Sequence, residues 1–382
     1  MKLRLTIIFL LFAIIGTSQN INVRIFSDSK IDNFVFYAKN GKYDIVSNNT
    51  VICSINEGES AIISHIGHKI NINQKLGNYS SDSMILIRGV SQENIFQVRF
   101  QNNRLKAREY DNDLYVKTTS KSLLLINDVN FEKYIAGVVE SEGGVKSGIE
   151  YYKAQAILCR TYAAKFYNRH LKSDYNLCDA VHCQAYMGRC RYSSAILEAT
   201  NATKGLVLVD QNKNLIEATF YANSGGETCN SEDVWHKSIP YLRSKEDPYS
   251  VGQPGYEWSK TIPRKQWELY LQSKGYPLAD STDLSFEQPT RKKYLATDCT
   301  DSLVLLTTVR KEWKLKSTFF CIDSRDEVVV LYGKGFGHGV GMSQEGAMEM
   351  ARQGFTYKEI LQFYYTNVSL MSISSMKFFQ VE

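Results

Sequence analysis

The chain has 382 residues, 43% of them apolar and 22% charged, enough to bury a substantial core and to form two or three structural units. Its 45 basic and 40 acidic residues leave a net charge of only +5 with no run of one sign, which excludes the clustered basic face of a nucleic-acid binder. Twenty-four tyrosines lift the aromatic share to 12%; such rings suit the apolar faces of sugars, but filling the core of a β-rich protein is their commoner use.

The first twenty residues, MKLRLTIIFLLFAIIGTSQN, join a basic start at Lys2 and Arg4 to an apolar run from Leu5 to Ile15, with small residues at Gly16 and Ser18. This is the pattern of a secretory signal over residues 1–18, so the mature chain is expected to be exported. The run falls short of the roughly 20 residues a bilayer span needs. No second long apolar stretch follows, and no membrane contact is expected beyond the signal segment.

Residues 19–124 read as a β-rich region: NVRIFSDS, NFVFYAKNGKYDIV with an Asn40-Gly41 hairpin signal, VICSI, SMILIRG and IFQVRF. His65 and His68 lack a nearby Cys or acidic partner, so they do not read as a metal pair. The texture changes at residue 130 and a second domain is expected over 125–382. In NFEKYIAGVV, Phe131, Tyr134, Ile135 and Val138 repeat at helical spacing, with Asn130 as cap and Gly143-Gly144 as stop. Ser147 and Glu150 have capping-box spacing ahead of a second helix, EYYKAQAILCRTYAAKFYNRHL. A helix in SSAILEATNATKG leads to two strands, LVLVD and LIEATFY, then a polar loop around NSGGETCNSEDVW. A strand, EVVVLYGKG, feeds a glycine stretch, and two helices follow, the last capped by Thr356 and Glu359. The fold class expected is α+β.

Three constellations carry possible chemistry. Glycine recurs at 333, 335, 337, 339 and 341 around His338. A dinucleotide fingerprint would need a further βα unit, and only 41 residues follow Gly341. The alternation instead strips one face of an extended segment, so that a ligand or another backbone approaches closely. His338 is then either a structural hydrogen bonder or a group facing that ligand. Glu140 and Glu142, just past the first helix, are a carboxylate pair of the kind glycosidic cleavage uses. Cys178, His182 and Cys183 bring two thiols and an imidazole within six residues, with His170 and Cys190 near enough to complete four ligands. Zinc and a disulfide both fit this spacing; a zinc with four Cys and His ligands would be structural. No HExxH occurs, which disfavours a zinc peptidase.

Three segments together resemble one family, the SpoIID/LytB proteins: FEKYIAGVVESEGG with EYYKAQAILCRTYAAKF, then FYANSGGETCNSEDVWHKSIPYLRS, then GFGHGVGMSQEGAMEMARQGFTYKEILQFYY. The resemblance implies a lytic transglycosylase acting on cell-wall glycan, with peptidoglycan strands and other wall hydrolases as partners. Glu142 takes the place of the family's catalytic glutamate. Gly143 stands where the family usually has Met. The CDAVHCQAY segment resembles one that binds zinc in some members, which implies His170, Cys178, His182 and Cys183 as ligands of a structural zinc. By the same carry-over Lys153, Gln155 and Arg160 are expected to face a glycan groove, with Ser224, Gly225 and Gly226 as one wall. The glycine stretch would be its floor, where His338, Ser343 and Gln344 offer hydrogen bonds. Because some relatives modify wall amidases, the alternative implied is a non-catalytic glycan-binding activator.

Overall fold

Alternating apolar residues build the strands of the first part of the chain. In Asn33–Asn40, for example, Phe34, Phe36 and Ala38 are buried while the residues between them face outward. The computed structural model describes residues 19–91, 93–101, 105–235, 237–276, 278, 282–295 and 303–375; the signal segment 1–18 and Cys299 lie outside them. The fold is α+β and divides into two units, one ending at Tyr134 and one from Ile135 onward.

The first unit contains strands β1 (Asn20–Ile25), β2 (Asn33–Asn40), β3 (Tyr43–Ser47), β4 (Thr50–Ile55), β5 (Ser60–Ile66), β6 (Lys69–Gln74), β7 (Gly77–Ser81), β8 (Met84–Gly89), β9 (Ile95–Arg99), β10 (Arg108–Asp111), β11 (Asp113–Thr118) and β12 (Leu123–Asn130). Antiparallel pairing joins β1, β12, β11, β8, β3 and β4 in that order, and a second sheet runs β10-β9-β2-β5-β6-β7. Rings from both sheets meet between them: Tyr43 of β3 stands edge-on to Phe36 at 5.0 Å, and Phe36 stacks on Phe96 at 5.2 Å. The Asn40-Gly41 turn is not a hairpin. It carries the chain from one sheet to the other, because β2 pairs with β5 and β9 whereas β3 pairs with β4 and β8. The hairpin lies one strand later at Asn48 and Asn49, whose φ values of 48° and 62° are those a type I′ turn requires.

Helix α1 (Phe131–Gly143) begins as its sequence implies. Asn130 Oδ1 accepts the N–H groups of Glu132 and Lys133 at 3.0 and 3.1 Å, and Gly144, at φ +67°, ends the helix. The expected capping box of α2 (Ile149–Lys165) does not form: Gly148 is the N-cap and offers no side chain. Glu150 instead bonds Lys153 Nζ at 2.6 Å and accepts the Tyr357 N–H at 2.8 Å. The helix stops at Lys165, short of Leu171, and turns follow whose carbonyl at Tyr167 is taken by Asn176 Nδ2.

In the second unit α2 is buried along most of its length and packs on α3 (Ser194–Ala202), β14 (Leu206–Val209), α7 (Gln344–Arg352) and α8 (Tyr357–Tyr364), the short strand β13 (Leu177–Cys178) lying between α2 and α3 in the chain. LIEATFY is a strand only at β15 (Phe220–Tyr221), which pairs in parallel with β21 (Met342–Ser343). After the short helix α4 (Ser231–Trp235), a three-stranded sheet of β16 (Glu257–Pro263), β20 (Val328–Lys334) and β19 (Phe319–Ser324) shares a core around Trp267, Phe320 and Leu331 with α5 (Arg264–Ser273), the strand pair β17 (Tyr294–Leu295) and β18 (Val304–Leu305), and α6 (Leu306–Glu312). The capping box at Thr356 and Glu359 forms in full, with both side chains bonded.

Candidate active site

The ESE tripeptide is the last turn of α1 rather than a segment beyond it, and its three side chains tie down the loop 183–192. Glu140 accepts the backbone N–H groups of Arg191 at 3.0 Å and Tyr192 at 2.7 Å, and the Cys190 thiol at 3.3 Å. Ser141 Oγ donates to the Gly137 carbonyl at 2.7 Å and accepts the Met187 N–H at 3.0 Å. Glu142 Oε1 accepts the Ala185 N–H at 2.8 Å. The loop comes so close to the helix that a Cβ on Gly137 would lie 2.3 Å from the Gly188 carbonyl.

Glu142 receives no other protein hydrogen bond among the described residues, so Oε2 is without a donor. Burial raises its pKa above the ordinary 4.5, and the one amide bond opposes this only in part. A carboxylate in a helix's last turn also meets the negative end of the dipole, which acts in the same direction. Gln344 Nε2 donates to the Glu142 backbone carbonyl at 3.0 Å and reaches the buried Tyr151 hydroxyl at 3.5 Å. That hydroxyl explains Gly143: a Cβ there would lie 2.8 Å from it. Past the helix end, a cavity of about 390 Å³ opens between Lys146, Ser147, Gly148, Gln253 and Glu345.

The other residues expected to line a groove are placed differently. Lys153 is half-buried in its pair with Glu150. Gln155 and Arg160 are buried in α2; the guanidinium donates to the carbonyls of Leu206 at 3.0 Å and Thr200 at 3.3 Å, bracing the helix against its neighbours. Ser224 is buried and donates to Asp247 Oδ2 at 2.8 Å while accepting the Gly226 N–H at 3.1 Å. Ser343 is buried, caps α7 through the Gly346 N–H and touches Ser250 Oγ at 2.7 Å. Gln344 alone of this set hydrogen-bonds Glu142.

The glycine stretch is not a groove floor, because the chain itself fills the space. A Cβ would lie 2.0 Å from the Trp258 ring at Gly333, 2.7 Å from the Asn223 carbonyl at Gly335, 2.6 Å from Tyr221 Cβ at Gly337 and 2.2 Å from the Thr219 carbonyl at Gly341. The partner in close approach is thus largely the segment 219–225, with Gly225 itself 2.7 Å from the Lys334 backbone by the same measure. His338 belongs to this seam. Its Nε2 donates to the Phe220 carbonyl at 3.1 Å and its Nδ1 accepts the Val340 N–H at 3.1 Å. Burial, with Arg310 nearby, lowers its pKa to about 4, so the imidazole is neutral at pH 7. Gly341→Ala is expected to cost about 3 kcal/mol or more, from overpacking plus a φ of +84°, read as a lower urea midpoint.

His170, Cys178, His182 and Cys183 place one donor atom each within 4.8 Å of one another. Cys183 Sγ is 3.5 Å from His170 Nε2 and 3.5 Å from His182 Nδ1, and Cys178 Sγ is 3.8 Å from His182 Nδ1. A tetrahedral zinc with ordinary Zn–S and Zn–N bonds spaces sulfur and nitrogen about 3.5 Å apart, so this donor set fits that ion. The Cys183 thiol, as a hydrogen-bond partner, holds the Cys178 pKa well below that of an ordinary thiol, which favours the thiolate a metal needs. The ligand loop is braced by Arg169 Nη1, which donates to the His182 carbonyl at 2.9 Å and to Tyr162 Oη at 2.8 Å. Cys190, the other candidate ligand, is committed to Glu140. The seven described cysteines are free thiols.

Residues 119–209 match the family model SpoIID, Stage II sporulation protein. Over 269 residues the chain is 31% identical to Stage II sporulation protein D of Bacillus amyloliquefaciens, covering 65% of this chain and 76% of that relative. The chain belongs to the stage II sporulation protein D family. Stage II sporulation protein D of Bacillus subtilis (strain 168) is 29% identical over 261 residues, 64% of this chain and 75% of the relative. A protein named Amidase enhancer from the same strain is 29% identical over 294 residues, 62% of this chain and 40% of the relative. Glu142 and all four clustered Cys and His donors fall inside the stretch matched to the SpoIID model, whereas Gln344 lies beyond it. The loop 184–192 was missed in reading the sequence; its only signal was the polar ESE facing a segment with Gly188.

Proposed function

We propose that this SpoIID family member acts on the cell wall outside the cytoplasm, once residues 1–18 are removed, as a lytic transglycosylase cleaving peptidoglycan glycan between N-acetylmuramic acid and N-acetylglucosamine. The observation that carries the reading is the environment of Glu142, a carboxyl with a raised pKa and one oxygen free of protein donors. Such a group keeps its proton to higher pH than an ordinary carboxyl does and can give it up. In the step proposed, Glu142 protonates the bridging oxygen as the bond from that oxygen to C1 breaks. The sugar's own 6-hydroxyl then bonds C1 and returns its proton to Glu142. The products are a 1,6-anhydro end and a free 4-hydroxyl, and no water is consumed.

A second carboxylate as base is not needed, and Glu140 is poorly suited to be one, since its oxygens already accept two backbone amides and a thiol. Gln344 and Tyr151 fix the helix end, and the Ala185 amide sets the carboxyl's orientation. A zinc on His170, Cys178, His182 and Cys183 would supply structure, as four protein donors leave no open position. Because Cys183 lies two residues before Ala185, holding that ligand also holds the amide on Glu142.

Mass spectrometry of glycan products from peptidoglycan, intact and stripped of peptides, tests the reading. Anhydro-ended fragments are the expected result; reducing ends formed with uptake of water would overturn it. The relative named Amidase enhancer favours a second reading, a glycan-binding activator of a wall amidase. Strand binding without any cleavage, together with faster amidase turnover, would establish that instead.

A further inference from the structure

The outward face of the sheet β10-β9-β2-β5-β6-β7 carries a pattern that the core of the first unit does not require. Residues opposite each other in an antiparallel pair share a face, so the register lays out rows across the strands. Asn33, Ser64, Asn71 and Ser80 form one row. Arg99, Val35, Ile62, Asn73 and Asn78 form the next, and Gln97, Tyr37 and Ser60 a third. Phe34, Phe36, Ile63 and Ile72 point the other way and are buried.

Asparagine is disfavoured in strands, yet four stand on this face. The side-chain amides of Asn33, Asn71, Asn73 and Asn78 and the hydroxyls of Ser60, Ser64 and Ser80 make no hydrogen bond to any described residue. They therefore return nothing to the fold. Val35 and Ile62, both half-buried, make an apolar strip in the middle row, and Arg99 lies 4.2 Å over the Tyr37 ring beside it. Toward β6 a cavity of about 490 Å³ opens over Ser60, Ile62, Asn73, Gln74, Lys75 and Leu76.

The free charge here is positive. Lys69, Lys75 and Arg99 have no carboxylate partner among the described residues. Of the bordering carboxylates, Glu109 is paired with Lys39 Nζ at 2.6 Å, and Glu59 accepts the backbone and side-chain N–H groups of Asn56. A polymer complementary to this face offers acetamido and hydroxyl groups to the amides, apolar ring faces to Val35 and Ile62, and negative charge to the cations. The glycan of peptidoglycan has all three.

We propose that this sheet face of the first unit is a wall-holding surface, which binds a peptidoglycan glycan strand apart from Glu142. The five-strand middle row spans about 19 Å at the usual strand spacing, room for more than one sugar. Its contacts are individually weak and add along the strand. Linked to the second unit, they raise the concentration of strand available to Glu142. The surface rests on the glycan reading above.

The test uses the chain from residue 19 with Glu142→Gln, to keep strands uncut, and measures retention on insoluble peptidoglycan and affinity for glycan strands released from it. Adding Asn71→Ala, Asn73→Ala and Asn78→Ala together is expected to weaken binding about tenfold. The melting temperature should hold, because none of the three amides bonds within the protein. Should it fall, Asn73→Asp decides alone: it keeps the side chain's shape, and its charge should weaken binding at low salt and less so at high salt. With Glu142 intact, the triple variant should still form anhydro-ended products from short soluble fragments at the parent's rate. Strand binding equal to that of the Glu142→Gln chain, or slower cleavage of the short fragments, would overturn the surface while leaving the enzyme reading intact. If the Glu142→Gln chain binds no strand at all, the glycan reading itself fails.

Discussion

Glu142→Gln is expected to lower the formation of anhydro-ended fragments by about 100- to 10,000-fold, the range lost when a positioned general acid is removed. The amide keeps the acceptor that holds the Ala185 N–H at 2.8 Å, so the fold and strand binding should persist. The parent's rate should fall as pH rises through the raised carboxyl pKa, because the acid must start protonated. The same shift has a consequence for stability that does not depend on turnover. Its folded-state pKa lies above the ordinary 4.5, with burial as the main cause. The carboxyl therefore favours folding below the unfolded pKa, and this contribution is lost as pH rises through the folded one. Glutamine does not titrate. The Glu142→Gln chain should thus gain in melting temperature relative to the parent as pH rises across that window, then hold a constant gap. A gap that shrinks with rising pH would mean Glu142 is stabilised as an anion, and the general-acid role would not stand.

Cys183→Ala is expected to remove the bound metal and to lower the melting temperature by about 10 °C, given that saturating a site at about a thousandfold over its dissociation constant stabilises by about 4 kcal/mol. Cys183 is the donor that touches both imidazoles, each at 3.5 Å. Its loss should also slow turnover, because Ala185 is two residues on and its amide orients Glu142. Cys53→Ala, in the first unit, should keep the metal. Metal analysis of the parent under non-reducing conditions should find one zinc per chain, and a metal-free parent with a Cys178–Cys183 disulfide would overturn the assignment.

What the residues decide locally was legible from the sequence by itself. Asn130 capping α1, Gly144 ending it and the Thr356–Glu359 box each involve only a few neighbouring residues. Cys178, His182 and Cys183 could likewise be named because they lie within six residues, whereas spacing left His170 and Cys190 level as the fourth donor and only the family resemblance implied the full set. Locality also explains the errors. Asn40-Gly41 has the turn chemistry of a hairpin, and nothing nearby tells whether the next strand joins the same sheet. The family resemblance pointed to Glu142, but its surroundings could not be read, since they come from a loop some forty residues on and from Gln344, 202 positions away. The alternating glycines announced a close approach without naming the partner. Whether that was a glycan or the protein's own segment 219–225 was settled only when distant parts of the chain met, because burial, desolvation and steric fit belong to pairs of segments rather than to either one alone.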